Sequence, residues 1–74
     1  MKGFGARVKE ELKVQSKLQK DLCNHLNVNK STLSEWLNDK NEPPMIIIVE
    51  IANFLKVSTD YLLGVENETN GKIY

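Results

Sequence analysis

Gln19 to Asn38 reads QKDLCNHLNVNKSTLSEWLN, and this stretch decides the fold. Two short helical patterns flank the break Asn27-Val28-Asn29. The first sets Leu22, Cys23 and Leu26 on one face of a 3.6-residue period, and the second does the same with Leu33, Trp36 and Leu37. Both apolar faces need burial, so the two helices should pack through them at a fixed angle. Lys30, Ser31, Ser34 and Glu35 fall on the opposite side of the second helix, a polar face that offers donors and acceptors. A helix pair of this kind, with one polar face turned outward, is the arrangement that enters a DNA major groove.

The flanking sequence continues in the helical period. Phe4, Val8 and Leu12 recur at four-residue spacing, which predicts a helix from about Phe4 to about Gln15. Ser16 followed by Gln19 has the form of a capping box, so a second helix is expected to begin near Lys17 and run to about His25. Asn27 stands where a left-handed residue is needed, and asparagine tolerates that better than other non-glycine residues. Asn29 is a good N-cap for a helix over Lys30 to Leu37. The polar run Asn38-Asp39-Lys40-Asn41-Glu42 is loop-like. Pro43 and Pro44 pre-set a fourth helix reaching Leu55, with Ile48, Ile51, Ala52 and Leu55 inward. Ser58 caps a fifth, short helix, with Asp60 near its positive end, Tyr61 and Leu62 inward, and Gly64 as its stop. The chain therefore reads as all-α, a domain over residues 1–64 followed by a polar C-terminal tail, 65–74.

Seventy-four residues make one small domain whose core needs tight helix packing or an oligomer partner. The longest apolar run, Met45 to Val49, is far too short to span a membrane, and nothing resembles a signal peptide. A single cysteine excludes an internal disulfide or a multi-cysteine zinc site, and the expected compartment is the reducing cytoplasm. Ten basic and ten acidic residues balance overall, which is unusual for a nucleic-acid binder, but they are not evenly spread. Residues 1–40 hold eight Lys/Arg against five Asp/Glu, a net of +3, and residues 41–74 hold two against five, a net of −3. Such polarity can present a basic face to phosphate; ordinary surface charge is the alternative.

Three segments, FGARVK, QKDLCNHLNVNKSTLSEWLNDK and VEIANFLKVSTDYLLG, together resemble the Xre/lambda-repressor-like (Cro-type) helix-turn-helix domains. The resemblance covers Phe4 to Gly64, and its last segment is the most family-specific. It implies a compact five-helix domain whose second and third helices form the DNA-binding unit, acting as a homodimer on a palindromic operator. By position it implies a phosphate contact for Gln19 and base-edge reading for Lys30, Ser31, Ser34 and Glu35. Asn29 and Thr32 fall beside these on the backbone side, and Asn38 and Lys40 fall in a loop that grips the DNA backbone. The chain departs from the family at Asn27 and Cys23, where glycine and alanine are usual, and at Lys17, which takes the place of a leucine. A family ion pair is replaced by Leu12 and Leu37, which predicts direct contact between these two side chains.

Each role has a plainer alternative. Lys30 and Lys40 can neutralise phosphates or simply be solvated. Glu35 can accept a hydrogen bond from cytosine N4, specifying sequence while repelling phosphate, or be a surface glutamate in a helix pair. Trp36 reads as a packing residue. His25 lacks a second ligand, so no metal is expected, and no cofactor or catalytic constellation is apparent, so no enzyme is expected. Ile46 and Ile47 lie off the inward line of the fourth helix. Either both face out as a dimer or partner patch, or one tucks against the loop after Asn38. The function expected is a sequence-specific double-stranded DNA-binding transcriptional regulator of phage or mobile-element repressor type. An antitoxin, or a protein-interaction module that kept the fold without DNA binding, are the alternatives.

Overall fold

The computed structural model describes residues 3–64. The expected tail, 65–74, lies outside the described residues. Among the described residues five helices follow one another: α1 (Phe4–Val14), α2 (Gln19–Leu26), α3 (Lys30–Leu37), α4 (Met45–Leu55) and α5 (Thr59–Leu63). Among the described residues there is no strand, as the periodicity predicts. Phe4, Val8 and Leu12 of α1 meet Leu22 and Cys23 of α2, Leu33, Trp36 and Leu37 of α3, Ile48, Ile51, Ala52 and Leu55 of α4 and Leu62 of α5 in one core. Leu12 and Leu37, expected to touch each other, are both buried in this core. Tyr61, expected inward, is only partly buried at its edge.

The caps explain where the helices stop. Each is followed within two residues by a left-handed residue: Ser16 (φ 56°), Asn27 (φ 58°), Asp39 (φ 58°), Lys56 (φ 58°) and Gly64 (φ 80°). Only the last is glycine; the side chains at the other four carry a conformational cost that the surrounding hydrogen bonds offset. The expected capping box at Ser16 is not formed. Ser16 instead closes α1, where Lys17 N donates to Leu12 O at 2.8 Å and Ser16 N donates to Lys13 O at 3.1 Å. The second helix therefore starts two residues later than predicted, at Gln19, with Leu18 at its cap and no side-chain cap bond. Asn29 and Ser58 cap as expected, accepting from Thr32 N at 2.7 Å and from Tyr61 N at 3.0 Å.

Long-range bonds fix the helices that frame α2 and α3. Gln15 Nε2 donates to Leu55 O at 2.7 Å and Lys17 Nζ donates to Phe54 O at 2.9 Å, so two side chains cap the carbonyl end of α4. Lys17 also lies 4.8 Å from the Phe54 ring centroid. A cation at a helix C-terminus and over an aromatic face is favourable twice, which accounts for a lysine where a leucine would be usual. His25 Nε2 is 3.1 Å from Glu50 Oε1 and ties the end of α2 to the middle of α4. Gly5 lets α1 lie directly against the Leu37 backbone at the end of α3. A Cβ there would lie 2.8 Å from Leu37 Cα and closer still to the Leu37 carbonyl.

Candidate nucleic-acid interface

The residues of the polar face come together from two helices. α3 begins at Lys30, so Lys30 and Ser34 are one turn apart, and Ser31, Ser34 and Glu35 share the same side. Burial of Leu33, Trp36 and Leu37 on the opposite side forces this face outward. The α2 helix contributes Gln19 at its first turn. Gln19, Lys30, Ser31, Ser34 and Glu35 line one shallow open depression, and all five residues are exposed. The groove bears one cation and one carboxylate with three neutral hydrogen-bonding groups between them, a chemistry suited to reading polar edges.

The flanking residues are more constrained than their spacing suggests. Asn29 is exposed, but its side-chain oxygen is used in capping α3. Thr32 is half-buried at the first turn. Asn38, at the end of α3, turns inward on its own helix: its Nδ2 donates to Ser34 O at 2.9 Å and to Ser34 Oγ at 3.2 Å, while its Oδ1 accepts from Lys9 Nζ at 2.8 Å. Lys40 is exposed, and its backbone N–H donates to Glu35 O at 2.9 Å.

Two residues join this region that the spacing did not single out. Lys9 belongs to α1 yet stands at the C-terminal end of α3, 29 positions away in sequence. Asn41 donates through Nδ2 to Glu35 Oε1 at 2.8 Å. No local periodicity could have found either, because the pairing depends on how the loop after α3 turns. Asp39 sets that turn, in the left-handed conformation and with its Oδ1 accepting from Gly5 N at 3.3 Å. This long-range bond also serves as an N-cap for α1, whose own cap residue, Gly3, has no side chain.

The apolar surface at the start of α4 divides. Ile46 is 63% exposed, as expected, but Ile47 is partly buried against the core, and Met45, 68% exposed, takes its place in the outward patch. The helix presents Met45 and Ile46 in its first turn, whereas Ile47 comes round to the side of Ile51. Among the described residues no cluster of three or more His, Cys, Asp or Glu is arranged to hold a metal ion, and no helix is long and apolar enough to cross a membrane.

Comparison with known proteins agrees with this architecture. The family described as Helix-turn-helix matches residues 8–62, which takes in all of α2, α3 and α4. A curated relative, the HTH-type transcriptional regulator ImmR of Bacillus subtilis (strain 168), is 34% identical over 61 residues. The match covers 82% of this chain and 48% of the relative, so the chain spans about half the length of the protein it resembles. No solved structure matches. With the five described helices around one core and the family match running from within α1 to within α5, the chain belongs to the Xre-type helix-turn-helix family.

Proposed function

We propose that this chain is the sequence-specific double-stranded DNA-binding module of a transcriptional regulator, of phage or mobile-element repressor type. The observation that carries the reading is an exposed depression that brings Gln19 of α2 together with Lys30, Ser31, Ser34 and Glu35 of α3. In this reading α3 lies in the major groove. Ser31, Ser34 and Glu35 meet base edges, joined by Lys30 as the groove's cation, while Gln19 anchors the start of α2 to a phosphate. Asn29, Thr32 and Lys40 flank the groove on the phosphate side, and Asn38 bears on the backbone through its lysine partner, Lys9. Glu35 adds discrimination and lowers sequence-blind affinity, as does the zero net charge of the whole chain. The task is binding; no bond-making chemistry is assigned to the site.

The module works as a homodimer on a palindromic operator, with two α3 helices about one helical turn apart. Met45 and Ile46 offer the outward apolar surface for the second copy. The antitoxin reading gives the same patch to a different protein. Selection from a random duplex pool, followed by binding measured against salt, tests the function. Lys40→Ala should reduce the salt slope by about 1, the loss of one phosphate-neutralising charge. Ile46→Lys should leave the fold intact and shift sedimentation from dimer to monomer. Recovery of no preferred sequence, with no affinity even at low salt, would refute the DNA-binding reading and favour an interaction module.

A further inference from the structure

The geometry points to Asn41 as a specificity-determining residue that acts by positioning the Glu35 carboxylate over the reading groove. The inference rests on the base-reading function proposed above. Glu35 is exposed, and a glutamate on a helix surface ordinarily samples several rotamers, which costs free energy when one is selected on binding. Here one carboxylate oxygen, Oε1, accepts the Asn41 amide at 2.8 Å. A carboxylate only accepts, so the amide nitrogen must face it and the bond has a single orientation. Oε2 makes no hydrogen bond among the described residues and remains able to accept from an exocyclic amine such as cytosine N4.

The backbone brings Asn41 to this place. Lys40 N–H bonds back to Glu35 O at 2.9 Å, and Asp39 adopts φ 58° with its carboxylate held by Gly5 N–H. The chain therefore reverses directly beside Glu35, and Asn41 arrives at the carboxylate without a long search. Its N–H dipole partly opposes the negative potential that Glu35 presents to nearby phosphates, while the carboxylate keeps its full charge. Glu35 with Asn41 thus forms a two-residue reader, its base-facing atom on α3 and its support on the following loop.

The test uses the full chain and a selected duplex in which each base pair is replaced in turn. In the wild type one base pair owes its preference to Glu35, of the order of tenfold. Glu35→Gln should erase the preference at that pair, and Asn41→Ala should reduce it to about twofold to threefold. Thermal stability, the salt slope and the preferences at all other pairs should stay as in the wild type, a pattern that a merely structural role for Asn41 would not give. The double variant should match Glu35→Gln alone. Wild-type discrimination in Asn41→Ala, with Glu35→Gln impaired, would overturn the inference by itself. A wild type without sequence preference, or a Glu35→Gln variant with unchanged preferences, would overturn it together with the base-reading function.

Discussion

Gly5→Ala is the most severe small substitution the fold predicts. In an isolated helix the change would help, by up to about 1 kcal/mol, because alanine favours the helical backbone. Gly5, however, is buried where α1 meets the end of α3. The new methyl group would sit 2.8 Å from Leu37 Cα and overlap the Leu37 carbonyl. Carbon atoms in ordinary contact are roughly 3.5–4.0 Å apart, so α1 must retreat by about 1 Å or more. Backbone cannot swing aside as a flexible side chain can. The retreat would loosen Phe4, Val8 and Leu12 against Leu33, Trp36 and Leu37, and stretch the Gly5–Asp39 bond beyond 3.3 Å. Overpacking of this kind costs about 3 kcal/mol or more, which leaves a net loss of at least about 2 kcal/mol after the propensity gain. A 74-residue domain has a total stability of only about 4–11 kcal/mol. The melting temperature followed by circular dichroism should fall by roughly 10 °C or more, since each kcal/mol shifts a domain of this size by about 4–8 °C. A Gly5→Ala protein as stable as the wild type would show that α1 and α3 do not meet at this point.

Two further outcomes follow from the caps and from the α1–α5 contact. Lys56 ends α4 with φ 58° and an exposed side chain, so Lys56→Gly should relieve left-handed strain and stabilise by about 0.5–1 kcal/mol in urea titrations; destabilisation would mean that its side chain holds the turn. The Tyr61 hydroxyl is held above its ordinary value of 10.0, first by loss of hydration and then by the Glu11 carboxylate, to which it donates at 3.5 Å. The unfolded chain then ionises this tyrosine before the folded one does, so its contribution is complete below pH 10 and is lost as the pH rises through the folded value. Melting temperatures from pH 9 to 11 should therefore fall less steeply for Tyr61→Phe than for the wild type, and parallel curves would exclude the effect.

Periodicity by itself determined the architecture, because burial is a local demand. A helix with three apolar side chains on one face must hide them, so Leu22 and Cys23, then Leu33, Trp36 and Leu37, specify two packed helices before any contact is known. The N-caps at Asn29 and Ser58 were legible for the same reason, since donor and acceptor lie within one turn. The outward groove residues Lys30, Ser31, Ser34 and Glu35 follow from their position opposite the core.

What the sequence could not show depends on atoms far apart along the chain. The Ser16–Gln19 spacing looks like a cap, but the hydrogen bonds that close α1 place Ser16 in a left-handed turn and move the start of α2 to Gln19. Ile46 and Ile47 are equally apolar, and only the rotation of α4 against the core leaves one exposed and the other partly buried. Asn38 looked free to grip DNA until Lys9 arrived from α1, and Asn41 looked like loop filler until Asp39 turned the chain beside Glu35. Local sequence settles which face of α3 is offered to a partner, since that face is whatever the core does not take. Tertiary structure decides how each polar side chain on that face is held, since its hydrogen-bond partners come from α1 and from the loop after α3.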